Sequence, residues 1–192
     1  MIRRVYDWTL SLAGHPRALG VLAVVAFVES SVFPVPPDVL MIPMILAMPS
    51  RAFLIAAVCT LASVLGGLFG YFIGAALYDT VGLAVLDFYG QAAAAESFNV
   101  RFNQHGAWAV LVAGMTPFPY KVITIMSGWT GLSLPVFVAS SIAARGLRFF
   151  IVAALLWKYG TPMRRFIEEY LGFLFTAFVV LLIGGFAIVR YL

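Results

Sequence analysis

The sequence predicts an all-α integral membrane protein built from two inverted repeats, and three observations lead to this fold class. Hydrophobic residues make up 63% of the 192-residue chain and charged residues only 10%. A soluble domain carries about 25% charged residues, so this chain has too little polar surface to be solvated. Long apolar segments recur along it, and prolines interrupt two further apolar stretches. No linker or low-complexity segment divides the chain, so residues 1–192 are treated as a single membrane domain.

Cysteine content and charge exclude several kinds of partner. A single cysteine, Cys59, rules out an intramolecular disulfide and the Cys-rich metal motifs, and we expect neither a metal site nor a cofactor. The net charge of +4 is explained by lysines and arginines in loops, so no nucleic acid partner is expected. The N-terminus has arginines before an apolar run, as a signal peptide would, but no small-residue cleavage site follows. We interpret it as retained.

Three segments are long enough to cross a bilayer, which takes about 20 apolar residues. They are 52–77, 134–157 and 170–190, and the last predicts a C-terminal transmembrane helix at about 168–190. In the first segment small residues recur every four positions, at Ala62, Gly66, Gly70 and Gly74. Such spacing lets two membrane helices approach closely. It leaves open whether the partner is another helix of this chain or a second protomer of a homo-oligomer.

Two other apolar regions are interrupted by prolines and predict re-entrant hairpins. Each region consists of two runs about half a membrane long: 19–28 with 39–49, and 107–116 with 122–133. The breaks contain Pro34, Pro36 and Pro37 in the first region, and Pro117 and Pro119 in the second. Proline removes a backbone donor, and irregular backbone survives at membrane depth only where protein or a hydrated cavity satisfies it. The alternative is a pair of kinked spanning helices.

Two segments beside the spans predict amphipathic helices lying on the membrane surface. One surrounds Trp8, next to Arg3 and Arg4, and the other runs from Phe88 to Phe102. The positive-inside rule does not distinguish re-entrant hairpins from spanning helices here. Both topologies place the N-terminus in the cytoplasm.

The chain also repeats itself. A shift of 83 residues lays Pro34–Asp38 over Pro117–Lys121 and the span 52–77 over 135–160. Each half is therefore predicted to contain a surface helix, a broken hairpin and a spanning helix, with repeat 1 at about 3–78 and repeat 2 at about 87–160. Re-entrant hairpins would invert the second copy, and inverted repeats with broken helices are the architecture of secondary transporters.

Five charged residues are predicted to converge near the middle of the membrane: Glu29, Asp38, Lys121, Arg145 and Arg148. A charge at the bilayer centre costs about 2.5–3.5 kcal/mol on insertion scales, so these side chains must face one another or a hydrated cavity. One interpretation is a set of ion pairs that locks the repeats together. The other is an anion site, because three cations exceed two carboxylates and arginine binds phosphate in a bidentate manner.

The motifs "FVESSVFPVPPD" at 27–38, "GMTPFPYK" at 114–121 and "ARGLRF" at 144–149 resemble the DedA family, also called the SNARE-associated or VTT-domain family. The resemblance covers roughly residues 20–160. It implies two opposed re-entrant hairpins, a bacterial inner-membrane location and translocation of lipid phosphates, either undecaprenyl phosphate or glycerophospholipids. The family's embedded acidic pair falls on Glu29 and Asp38, and its downstream arginines on Arg145 and Arg148. The second motif lacks the family's first basic residue, which is typical of a divergent branch.

The predicted function is therefore a flippase for a lipid phosphate held by Lys121, Arg145 and Arg148. Protons on Glu29 or Asp38 would couple transport to the proton motive force. The main alternative is a proton-coupled transporter of small ions or cationic drugs. An intramembrane lipid phosphatase is disfavoured, because no nucleophile–base pair is evident at mid-depth. A scaffold assembled through the glycine face is the remaining alternative.

Overall fold

The computed structural model describes residues 17–32, 36–88, 92–116, 119–160 and 162. All regular secondary structure within these ranges is helical: α1 (Ala18–Ser31), α2 (Asp38–Ala47), α3 (Ala52–Leu77), α4 (Leu83–Phe88), α5 (Ala92–Met115), α6 (Tyr120–Trp129) and α7 (Leu134–Gly160). A 3₁₀ turn, Pro49–Arg51, precedes α3, and a π-helical turn, Tyr78–Gly82, follows it. The predicted N-terminal surface helix, the predicted C-terminal span, Pro34 and Pro117 lie outside the described residues.

Within the described ranges, two helices are long and apolar enough to cross a membrane, namely Pro49–Leu77, which includes α3, and Leu134–Gly160, which is α7. They correspond to the predicted spans 52–77 and 134–157. With 26 residues, α3 extends about 39 Å along its axis. The two helices are antiparallel, because the start of α3 contacts the end of α7 and the end of α3 contacts its start. The ring pairs that show this are Phe53 with Trp157 and Tyr71 with Phe137.

The short helices begin and end at the prolines. Helix α1 ends at Ser31, and α2 starts directly after Pro37. Helix α6 starts directly after Pro119. Proline suits the residue before or at a helix start, because its missing N–H would have no helical partner there. At each proline break, therefore, a new helix begins between two apolar segments.

Helices α1 and α2 form a helical pair, hairpin 1, that doubles back on itself. Leu22 near the start of α1 and Ile45 near the end of α2 share one buried cluster. The same cluster contains Ile55 from the start of α3 and Leu156 from the end of α7. Both open ends of hairpin 1 therefore lie at the same end of α3. Its tip, where α1 ends and α2 begins, reaches the middle of α3 and α7, as the site contacts below establish.

Helices α5 and α6 form the corresponding hairpin 2 at the opposite end of the molecule. Near the open end, the side-chain amide of Asn103 in α5 donates to the backbone carbonyl of Thr130, just after α6. Further along α5, Gly114 lies against Ala144 in the middle of α7. The open end of hairpin 2 thus lies at the end of α3 and the start of α7. The two tips approach each other near the middle of the bundle.

The Phe88–Phe102 segment and the half-helix 107–116 were expected as separate elements, but a single continuous helix, Ala92–Met115, contains most of both. No proline interrupts the sequence between these residues, and the run of alanines from Ala92 to Ala95 favours helix. The first part of α5 keeps the polar character seen in the sequence, since Glu96 and Arg101 are exposed.

The glycine face of α3 packs against helices of the same chain. A Cβ atom on Gly66 would collide with the backbone carbonyl of Phe27 in α1, and one on Gly74 with that of Ile125 in α6. Small residues at this spacing allow such close backbone approach. The partner that the sequence left open is thus intramolecular for this face.

Candidate functional site

A network of buried and partly buried charged and hydroxyl side chains lies where the tip of hairpin 1 meets α3 and α7. We call it the charged network, and it consists of Glu29, Ser30, Asp38, Ser63, Arg145 and Arg148. Glu29 comes near the end of α1, and Asp38 is the first residue of α2. Arg145 and Arg148 lie one turn apart near the middle of α7, on the same face of the helix. Four of the five charges predicted to converge are therefore brought together.

The first ion pair joins Glu29 to Arg145 as part of a closed ring of hydrogen bonds. Nη2 of Arg145 donates to Oε2 of Glu29 at 2.6 Å, and Nε of Arg145 donates to Oγ of Ser63 at 2.6 Å. The Ser30 and Ser63 hydroxyls are 2.6 Å apart, and Ser30 donates to Oε2 of Glu29 at 3.1 Å. Because Ser30 gives its proton to Glu29, Ser63 is the donor between the two serines.

Aromatic rings enclose the guanidinium of Arg145, which is only 1% exposed. The rings of Tyr120 and Phe149 have their centroids 4.8 Å from its central carbon, one from α6 and one from its own helix. Cation–π contacts of this kind are worth about 2 kcal/mol or more once the cation is desolvated. The Tyr120 hydroxyl is fixed in turn, because it donates to Oγ of Ser141 at 2.6 Å. The hydrogen bond to Ser141 and the contact with Arg145 thus fix the position of the Tyr120 ring.

One nitrogen of this arginine, Nη1, is buried and has no hydrogen-bond partner in the described part of the chain. Leaving a buried donor unsatisfied costs about 1–3 kcal/mol, and more when the group is charged. Nε and Nη2 are already occupied, so Nη1 is the position at which Arg145 could donate to a further oxygen ligand. A phosphate oxygen or a water molecule would satisfy it.

The second ion pair joins Asp38 to Arg148, with Nη2 of Arg148 donating to Oδ2 of Asp38 at 2.6 Å. This pair is more open than the first, since Arg148 is 23% exposed and Asp38 is 21% exposed. Arg148 also contacts the ring of Phe149, whose centroid lies 5.8 Å from the guanidinium carbon. A carboxylate in the first turn of a helix is also favoured by the helix dipole, which suits Asp38 at the start of α2.

Lys121, the fifth charge, makes no ion pair in the part of the chain that the structure describes. Its side chain is partly buried in the first turn of α6, where the backbone carbonyl accepts a hydrogen bond from Thr124. Tyr120, its neighbour, points to Arg145 instead. The surplus positive charge inferred from the sequence is therefore on Lys121, because the other four charges pair two by two. No acidic residue offsets it in the first turn of α6.

Four residues of the site, Ser63, Ser30, Tyr120 and Phe149, were not predicted from the sequence. A usable signal existed for Ser63, since a polar residue in the middle of an apolar span usually faces the protein interior. The aromatic residues gave no such signal, because 15% of the chain is aromatic.

No group of three or more potential metal ligands occurs among the described residues. Within the same ranges, His105 is exposed and contacts the backbone of its own helix, while Cys59 is a buried free thiol. The chemistry offered here is that of guanidinium, carboxylate and hydroxyl groups.

The described part of the chain defines a helical protein with two helices apolar enough to cross a membrane, and the charged network lies between them. The chain is 38% identical over 168 residues to an uncharacterized protein from Haemophilus influenzae, covering 85% of this chain and 87% of that protein. It is 34% identical over 168 residues, with the same coverage, to an uncharacterized homologue from Histophilus somni. The chain belongs to the protein family of these two relatives. No family model matches it, and no solved structure matches it.

Proposed function

We propose that this protein is a multi-pass protein of the bacterial inner membrane that translocates a lipid phosphate. In this proposal the N-terminus is cytoplasmic, and the two hairpins are re-entrant and related as inverted repeats. The DedA-like motifs named above support the same assignment, with undecaprenyl phosphate or a glycerophospholipid as the substrate.

The contacts of the two hairpins support the inverted arrangement. In repeat 1 the first arm, α1, runs along α3, and the second arm, α2, runs along α7. In repeat 2 the first arm, α5, runs along α7, and the second arm, α6, runs along α3. Each long helix, α3 or α7, thus packs against the first arm of its own repeat and the second arm of the other repeat. The helix boundaries agree with the 83-residue shift, since α7 ends at Gly160 and α3 at Leu77.

One observation carries the functional proposal: two guanidinium groups lie one turn apart near the middle of the apolar helix α7, and one of them has a nitrogen with no partner among the described residues. Burying charge at this depth is costly, and a purely apolar contact would hold the helices together without that cost. Arginine forks match the oxygen geometry of a phosphate group. Nη1 of Arg145 and the guanidinium of Arg148 would bind the head group, while the lipid tail stays in the bilayer.

The start of α6 adds positive potential to the same level of the bundle. A helix N-terminus carries a partial positive charge, and Lys121 in the first turn increases it. A helix start with free N–H groups favours an anion. We therefore keep Lys121 in the proposed phosphate site, as the cation that would approach the head group from hairpin 2.

The carboxylates give the proposed site a means of proton coupling. The guanidinium groups of Arg145 and Arg148 each form an ion pair with a carboxylate in this structure. A proton on Glu29 or Asp38 would neutralise that carboxylate and release its arginine for the phosphate. Loss of the proton would restore the ion pair and expel the substrate.

A transporter of small ions or cationic drugs would use the carboxylates rather than the arginines to bind its cargo. It would have to displace an arginine from each carboxylate, because both acidic residues are paired. We also propose no enzymatic activity for this network, in which the one described histidine takes no part.

Reconstitution in liposomes with a fluorescent lipid phosphate tests the proposal. The wild-type protein should move the probe between leaflets, and Arg148→Lys should lower probe binding at least about tenfold, since an ammonium cannot reproduce the fork. Arg101→Lys, on the exposed part of α5, is the matched control and should leave binding unchanged. Unchanged binding in a stable Arg148→Lys protein would contradict the proposed phosphate site. Movement of a fluorescent cation instead of the lipid probe would favour the alternative.

A further inference from the structure

We propose that the two ion pairs have different roles: Asp38–Arg148 opens to admit the anion, while Glu29–Arg145 stays closed and holds the helices in position. This division of roles rests on the proposed function, because it assigns the steps of the proposed transport to particular residues. The sequence left the proton-coupling role between Glu29 and Asp38, and this proposal assigns it to Asp38 alone.

The Glu29–Arg145 pair is held from several sides. Arg145 bonds both Glu29 and Ser63, and the ring through Ser30 closes on the same carboxylate oxygen. The exposures are 1% for Arg145 and 16% for Glu29. Two aromatic rings also enclose the guanidinium, as described above. Opening this pair would break hydrogen bonds between α1, α3 and α7 at once, so it is suited to a permanent contact.

Within the described residues, the Asp38–Arg148 pair is held by one hydrogen bond and one distant ring contact. Both side chains are more than a fifth exposed, so a head group could reach them without first separating the helices. Among the described residues, the charged and titratable groups near Asp38 come from two elements. Helix α7 contributes Arg148 and, at longer range, Arg145, and helix α3 contributes the thiol of Cys59.

Nη1 of Arg145, which has no partner among the described residues, provides a further donor for the anion. Nη1 can donate to a phosphate oxygen while Nε and Nη2 keep their bonds to Ser63 and Glu29. Both guanidinium groups can therefore bind one anion although only Asp38 is displaced. If the displaced Asp38 takes up one proton, the two arginines balance Glu29 and one negative charge on the phosphate. The two arginines by themselves thus balance a monoanionic phosphate diester, and one proton accompanies each anion.

The charge balance also separates two classes of lipid. A phosphate monoester carries about −1.5 to −2 at pH 7 and would need a further cation. Lys121 follows Tyr120, the residue that contacts Arg145, directly in the sequence, and it would be required for a monoester but not for a diester. The probes that distinguish these cases are a fluorescent phosphatidylglycerol and a fluorescent phosphatidic acid, each in phosphatidylcholine vesicles.

The first test needs no lipid. The purified protein in detergent is treated with phenylglyoxal, and modification of each arginine is followed by mass spectrometry. Arg148 should be modified at least about tenfold faster than Arg145, because only the exposed pair opens. Equal rates at the two arginines would overturn the division of roles. This result stands whether or not the protein transports lipids, so it separates failure of this inference from failure of the proposed function.

The second test compares Asp38→Asn with Glu29→Gln, and Glu96→Gln on the exposed part of α5 is the control. Asp38→Asn should fold, bind phosphatidylglycerol and lose the pH dependence of binding. Glu29→Gln should lower the Tm by roughly 10 °C or fail to accumulate, because it breaks a buried pair. Glu96→Gln should change none of these quantities. A stable Glu29→Gln protein without pH dependence, beside an Asp38→Asn protein that keeps it, would overturn the inference.

Discussion

Oγ1 of Thr124 in α6 lies 3.3 Å from the backbone carbonyl of Ser30 in α1, 94 residues earlier in the chain, and its one proton is shared between that carbonyl and the carbonyl of Lys121 at 2.8 Å. This contact joins the tips of the two hairpins. The carbonyl end of α1, which is the negative end of its dipole, meets the positive start of α6. Ser30 also belongs to the ring around Glu29, so this contact connects hairpin 2 to the charged network, in addition to the contact of Tyr120 with Arg145.

The hairpin geometry predicts which positions share a side of the membrane. In a Cys59→Ala background, single cysteines at Gly20 and Ser50 should react alike with an impermeant thiol reagent, because both lie at the open end of hairpin 1. A cysteine at Ser133, at the other end of the bundle, should react only from the opposite side. Labelling intact and inverted vesicles measures this. Opposite labelling of Gly20 and Ser50 would mean that hairpin 1 spans the membrane.

Glycines of the packed and exposed faces should respond in opposite ways to alanine. Gly66→Ala should lower the free energy of unfolding by about 1–3 kcal/mol, because the new methyl group would collide with the carbonyl of Phe27. Gly20→Ala is the matched control, since no atom of the described residues lies within 4 Å of the place its methyl group would take. The better helix propensity of alanine should stabilise that variant slightly. Thermal denaturation in detergent measures both, and equal stability of the two variants would contradict the packing of α1 on α3.

The ring of hydrogen bonds makes Ser63 more important than its size suggests. Ser63→Ala should destabilise the protein by about 1–3 kcal/mol, because Nε of Arg145 would lose its acceptor in a buried position. Ser140→Ala is the control, as the described contacts of this buried serine are hydrogen bonds to carbonyls of its own helix. Comparing their thermal stabilities tests the ring. A Ser63→Ala protein as stable as Ser140→Ala would show that the ring contributes nothing to stability.

A substitution of Lys121 should affect lipid binding without affecting thermal stability. It forms no ion pair among the described residues, so Lys121→Gln should leave the Tm within about 2 °C of wild type. If Lys121 approaches the phosphate, the same variant should weaken binding of phosphatidic acid about tenfold. Lys158→Gln, an exposed lysine near the end of α7, provides the control. Undiminished binding in Lys121→Gln would remove this residue from the site.

The sequence by itself determined the two long apolar helices among the described residues, the breaks between the short helices and the position of each charged residue along its helix. Each follows from local properties: hydropathy sets where a long helix can run, and proline ends a helix through its own ring and missing N–H. The position of Arg145 near mid-helix follows from counting along α7. These features need no knowledge of the rest of the chain.

Only the tertiary structure decided which groups meet. Glu29 and Arg145 are 116 residues apart, and Asp38 and Arg148 are 110 residues apart. Counting residues places all of them at one depth, but the rotation of each helix about its axis decides which side chains face one another. In α6 the packing of Tyr120 against Gly67 fixes that rotation, so Tyr120 reaches Arg145 while Lys121 makes no ion pair with the network. Side-chain pairing depends on this long-range packing, which no local pattern in the sequence specifies.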